Sequence, residues 1–160
     1  MARHMFSEDY DELAGTGLGR LKKHLLPAGD VEVRYWGGFH WGTMAIILRR
    51  ADGKWSGKRL NARSGHPPTP LPAPKLGWPV FWVKAEKIGI FTLPDDSTIA
   101  DRKGYSRIDD GYSTLVEYQK DGIYRAYAYN NPELQKEWRY AKPMATLDRF
   151  INSQFPTWRR

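Results

Sequence analysis

Six prolines, at positions 67, 68, 70, 72, 74 and 79, fall between His66 and Pro79, and no other feature limits the fold of this chain so strongly. Each fixes φ near −65° and removes a backbone donor, so neither a helix nor a central strand is expected over residues 66–79. An extended, polyproline-like loop is the expectation. The spacing from Pro67 to Pro70 also suits a proline-rich ligand for an aromatic groove. Such spacing is common by chance, and the structural loop is the simpler account.

Regular structure must then lie on either side. Val31 to Trp36 and Thr43 to Arg50 are rich in β-branched and aromatic residues, with Gly37, Gly38 and Gly42 between them, and read as antiparallel strands. Asp52-Gly53 is a hairpin signal into a third strand around Trp55 to Leu60, which makes a three-strand meander. Before it, Ser7 caps a helix with Glu8, Asp9, Asp11 and Glu12 in its first turn and Arg20, Lys22, Lys23 and His24 near its end, as the macrodipole favours. Gly15, Gly17 and Gly19 weaken its middle by about 1 kcal/mol each relative to alanine, so two short helical pieces are the alternative.

Beyond the prolines, Val80 to Phe91 places Val80, Phe81, Val83 and Ile88 toward one helical face and Lys84 and Lys87 toward another, ending at Gly89. Tyr112 to Gln119 and Ile123 to Tyr129 form the strongest strand pair. A two-residue Asp121-Gly122 turn sends Glu117 and Arg125 to opposite faces, whereas a three-residue loop sets them across from each other; charge pairing favours the second. Leu134, Trp138, Ala141, Met144, Leu147, Phe150 and Ile151 recur at helical spacing, with a kink or break expected at Pro143. The fold class is therefore α+β: one domain over residues 1–160, an antiparallel sheet of a meander plus a hairpin, packed by N-terminal, central and C-terminal helices. His4-Met5 is compatible with a cloning junction, which would make residues 1–5 an expression remnant.

Cysteine is absent, which removes disulfides, thiolate zinc sites and a cysteine nucleophile from consideration. The four histidines, His4, His24, His40 and His66, stand at no metal-ligand spacing, and only His40 invites inspection as a general base. Gly15-Thr16-Gly17-Leu18-Gly19-Arg20 follows no strand and lacks the Lys-Ser/Thr pair of a phosphate loop. Asp95-Asp96, Asp101 and Asp109-Asp110 lack the alternation of a calcium loop and read as turn residues. No catalytic residue, metal or cofactor is expected. No apolar run approaches the roughly 20 residues of a membrane span. The compartment reads as cytoplasmic as written, or periplasmic if a native signal was removed.

Net charge is +7, with no block of like charges. Seven tryptophans and nine tyrosines are many for this length, and some are expected at the surface beside arginines. Arg34, Tyr35, Trp36, Trp41, Arg125, Tyr127 and Tyr129 are the candidate binding residues. Trp, Tyr and Arg dominate protein interfaces and also stack nucleobases, so a protein partner is the first reading and single-stranded nucleic acid the alternative.

The stretch Gly89-Ile90-Phe91-Thr92-Leu93-Pro94-Asp95, then Asp110-Gly111, Val116-Glu117, Tyr124-Arg125-Ala126-Tyr127 and Asn131-Pro132 before a final helix, resembles small uncharacterised bacterial proteins of the secreted-lipoprotein or immunity type. The resemblance covers the C-terminal half. It implies a non-enzymatic protein-binding role, with a toxin or effector as partner, and no site residue; the lipobox cysteine of such lipoproteins has no counterpart here.

Overall fold

The computed structural model describes residues 16–156 apart from 24, 39–43, 62–63, 107 and 109–110. Six strands, β1 (Val31–Gly38), β2 (Met44–Ala51), β3 (Lys54–Asn61), β4 (Thr69–Leu71), β5 (Ser113–Lys120) and β6 (Ile123–Asn130), form one sheet in the order β4-β3-β2-β1-β5-β6. Every neighbouring pair is antiparallel. Two α-helices among the described residues, α1 (Trp78–Ile88) and α2 (Ala141–Gln154), complete a mixed α+β fold.

Turn chemistry sets the register. In Asp52-Gly53 and Asp121-Gly122 both residues take positive φ, at 50° and 73° and at 52° and 74°. That is the two-residue turn whose twist matches the flanking strands. The expected three-residue loop at Lys120-Asp121-Gly122 is therefore corrected: Lys120 pairs with Ile123, Glu117 with Ala126 and Tyr118 with Arg125. Glu117 and Arg125 point to opposite faces. A cross-strand ion pair is worth well under about 1 kcal/mol, too little to displace a turn that fits the sheet's twist. Glu117 meets a cation regardless, because pairing of β1 with β5 sets it directly opposite Arg34.

The proline segment carries more order than expected. Thr69–Leu71 adds an edge strand to β3, with Pro70 opposite Lys58. An edge position tolerates a residue without an N–H. Gly57 makes room at that edge: a Cβ there would stand 3.3 Å from both Leu71 and the Trp78 ring.

Helix α1 starts from Gly77, with Pro79 in its first turn, and stops at Gly89, whose φ of 112° is open to glycine and whose N–H donates to the carbonyls of Ala85 and Glu86. It buries Phe81, Trp82 and Ala85. Val80 and Val83, expected on the inner face, are exposed instead, because the larger Trp82 takes the contact with the sheet. Trp82 stacks on Trp55 of β3 at a centroid distance of 4.1 Å, and Phe81 stacks on Phe150 of α2 at 5.3 Å.

The C-terminal helix also differs from expectation. Residues 131–140 form turns rather than helix, and α2 begins only at Ala141, so Pro143 falls in its first turn. No intrahelical bond is needed from its nitrogen there, and the kink is not required. Trp138 is held in the preceding turns by its indole N–H, which donates to the Asp101 carbonyl at 2.9 Å. Most of the expected N-terminal helix lies outside the described residues; its described end includes a 3-10 turn at Leu21–Lys23.

One sheet face, carrying Val33, Tyr35, Ile46, Leu48, Val116, Tyr118, Tyr127 and Tyr129, packs against both helices in the main core. The hydroxyls of Tyr118 and Tyr127 donate to the carbonyls of Phe91 and Ile90, at 2.6 and 2.9 Å, and tie the turn after α1 onto the hairpin. Burial pushes the Tyr127 hydroxyl well above its ordinary range, so it stays a donor. The β6 edge is sealed by two carboxylates: Asp95 accepts from the Ala128 N–H at 3.0 Å and Asp96 from that of Asn130 at 3.2 Å. Asp95 also accepts from the N–H of Ser97, the turn role expected of it. No helix among the described residues is long and apolar enough to cross a membrane.

Candidate functional site

Period-two alternation along β1 sends Glu32, Arg34 and Trp36 to the sheet face opposite the helices. That face has its own small core of Trp36, Ala45, Ile47, Leu60, Leu115 and Ala128, against which Leu18 packs. Leu18, Leu21, Leu25 and Leu26 lie beside it, and Leu21 is buried. Gly19, from the glycine-rich stretch that fails as a phosphate loop, accepts from Arg34 Nη1 through its carbonyl at 2.8 Å.

Arg34 is the hub. Its Nε donates to Glu32 Oε1 at 2.7 Å and its Nη1 lies 3.6 Å from Glu117 Oε1, with the guanidinium side chain only 3% exposed. Glu117, fully buried, also accepts from the Trp36 indole N–H at 3.3 Å and from the Tyr124 hydroxyl at 3.1 Å. Buried charges persist only when paired and hydrogen-bonded, and each group here has both. Arg49 extends the network outward, 3.7 Å from Asp30 and 4.0 Å from Glu32, with nearly half of its side chain exposed.

Beside this network opens a cavity of ≈ 420 Å³ between the sheet and residues 17–21 and 25–27. Its polar wall comprises Glu32, Arg34, Arg49, Ser56 and Lys58, and its apolar wall includes Leu18, Leu21, Leu25, Leu26 and Ile47. The volume lies in the roughly 300–1,000 Å³ range of ligand pockets, and an apolar wall with a few convergent polar groups is their usual make-up. Leu25 is 87% exposed at the rim.

The candidate binding residues from the sequence divide between the two faces. Arg34 and Trp36 belong to the second face, where Arg34 reaches the cavity wall and Trp36 is buried beneath it. Tyr35, Tyr127 and Tyr129 lie in the main core, at 1% exposure or less, so their rings pack against the helices rather than a partner. Arg125 is exposed at the hairpin edge on the helix side, donating to the carbonyls of Phe91 and Leu93. Trp41 lies outside the described residues, as does His40. Glu32, Ser56, Lys58 and the leucines were not singled out from the sequence. The signal for the first was the charge at every second position of an otherwise apolar β1; for Ser56 and Lys58 there was none.

Among the described residues no group of histidine, aspartate and glutamate could hold a metal ion. No protein-family model, curated protein or solved structure matches this chain.

Proposed function

We propose that this chain is a binding domain, accessory or immunity-like in role, that receives a segment of a protein partner in the cavity on the second face of its sheet. The observation that carries the reading is the cavity itself: leucines on one wall, and on the other a charged network already built and held. A network made of strand residues is rigid, so a partner meets preformed geometry and little ordering cost accrues on binding. The reading keeps Arg34 and Arg49 from the aromatic and arginine-rich sheet face inferred from sequence and drops Tyr35, Tyr127 and Tyr129, which lie in the main core.

Capture from a lysate of the source cells, at low and high salt and after nuclease treatment, tests the reading when run beside Ser56→Trp. Ser56 is exposed on β3 at the cavity wall, so an indole there fills the space without emptying the core. One stoichiometric protein kept by the wild type through salt and nuclease, and lost by Ser56→Trp, supports docking in the cavity. Recovery of nucleic acid that falls away steeply with salt refutes it in favour of single-strand binding, as counterion release requires.

A further inference from the structure

The charges around the cavity are sorted by depth. The carboxylates of Asp30, Glu32 and Glu117 are nine-tenths or more buried and face Arg34 or Arg49. Two cations reach solvent: Arg49 is 44% exposed, and Lys58 is exposed with no ion-pair partner among the described residues. Lys22 and Lys23, both exposed, follow Leu21 of the apolar wall directly in the chain. An incoming group therefore meets Arg49, Lys58 and leucine side chains toward solvent, while the three carboxylates lie deeper, held at close range by Arg34 and Arg49. The chain as a whole carries +7, which adds long-range attraction of the same sign.

Resting on the binding-domain reading above, we propose that the partner segment is acidic and apolar together. It seats a leucine-like side chain among Leu18, Leu21, Leu25 and Ile47 and a carboxylate between Arg49 and Lys58. Arg34 does not contact the ligand; held by Glu32, Glu117 and the Gly19 carbonyl, it positions the polar wall.

The test titrates isotope-labelled protein with an end-capped octapeptide alternating leucine and glutamate, and in parallel with the same peptide carrying lysine for glutamate. The glutamate peptide should shift the amides of Ile47, Ser56 and Lys58 in a saturable way, and Lys58→Glu, with unchanged melting temperature, should weaken binding about tenfold or more. Equal binding of the lysine peptide, indifference to Lys58→Glu, shifts confined to another surface, or no saturable shift overturns the proposal. Saturable shifts with decanoate but not with the peptide also overturn it, assigning the cavity to a small carboxylate. If the peptide fails while Ser56→Trp still abolishes protein capture, docking stands and only the acidic preference falls. If capture survives Ser56→Trp, both fall.

Discussion

Replacing Arg34 by methionine keeps most of the volume and the apolar stem of the side chain and deletes the guanidinium that lies within 3.6 Å of both Glu32 and Glu117. The two carboxylates, 8% and 0% exposed at the side chain, then lose their shared counter-charge in a low-dielectric setting; among the described residues Arg49 stays 4.0 Å from Glu32, and Glu117 keeps its bonds from Trp36 and Tyr124. Breaking a buried pair by removing one partner typically costs about 3–5 kcal/mol, because the stranded charge has lost its solvent and its counterion. In a domain of this size about 1 kcal/mol moves the melting temperature by roughly 2–4 °C, so Arg34→Met should lower it by about 6–20 °C. Glu117→Gln added to Arg34→Met removes one stranded charge while the amide oxygen still accepts from Trp36 and the amide nitrogen donates to the Tyr124 hydroxyl. That double variant should regain at least about 1–2 kcal/mol of the loss. Urea unfolding followed by tryptophan fluorescence and far-ultraviolet circular dichroism measures all three proteins, with coincident transitions as the two-state check. A loss below about 1 kcal/mol for Arg34→Met, or a double variant less stable than the single one, refutes the view of Arg34 as the counter-charge that makes this face possible.

Other expectations follow from single positions. Burial raises the Asp96 carboxyl above its ordinary value of 3.8, and the charge of Asp95 adds to that, against the Asn130 N–H bond and Arg102. With the folded value above the unfolded one, this group's stabilisation is present below pH 3.8 and is lost as pH rises through the folded value. Asp96→Asn should therefore gain on the wild type in urea midpoint as pH rises from there to neutrality, and a difference that shrinks over that window contradicts the assignment. Gly122 has φ of 74° and open space where a Cβ would go, whereas at Gly104, φ 81°, a Cβ would overlap the Glu137 carbonyl. Gly122→Ala should cost about 1 kcal/mol, and Gly104→Ala distinctly more because steric overlap adds to conformational strain; equal melting temperatures for the two would undo that distinction. Tyr127→Phe leaves the Ile90 carbonyl without its donor and should cost about 1–2 kcal/mol in urea unfolding, with no effect on peptide binding at the opposite face.

Local chemistry made much of the fold legible. The Asp-Gly turns, the β-branched runs beside them and Gly89 each act over a few residues, so strands β1, β2, β3, β5 and β6 and the end of α1 follow from the sequence alone. Pro143 was legible as a helix disruptor, but whether it kinks a helix or begins one depends on where the helix starts. That point is set by Trp138 and Gln135 docking on Asp101 and Ser106, far away in the chain.

Other features belonged to the tertiary structure. Strand alternation says that Arg34 and Tyr35 face opposite ways, but not which face the helices cover; that choice put the tyrosines in the core and Arg34 with its carboxylates on the other side. The pairing of β1 with β5, separated by about eighty residues of chain, brought Glu117 to Arg34, and no local rule encodes such a partner. The cavity exists because residues 17–21 and 25–27 lie against a face whose polar groups come from β1, β2 and β3. Sequence sets the local backbone because turn and strand preferences are short-ranged. The site needs groups distant in the chain to meet, and only the balance of burial and charge over the whole molecule decides which ones do.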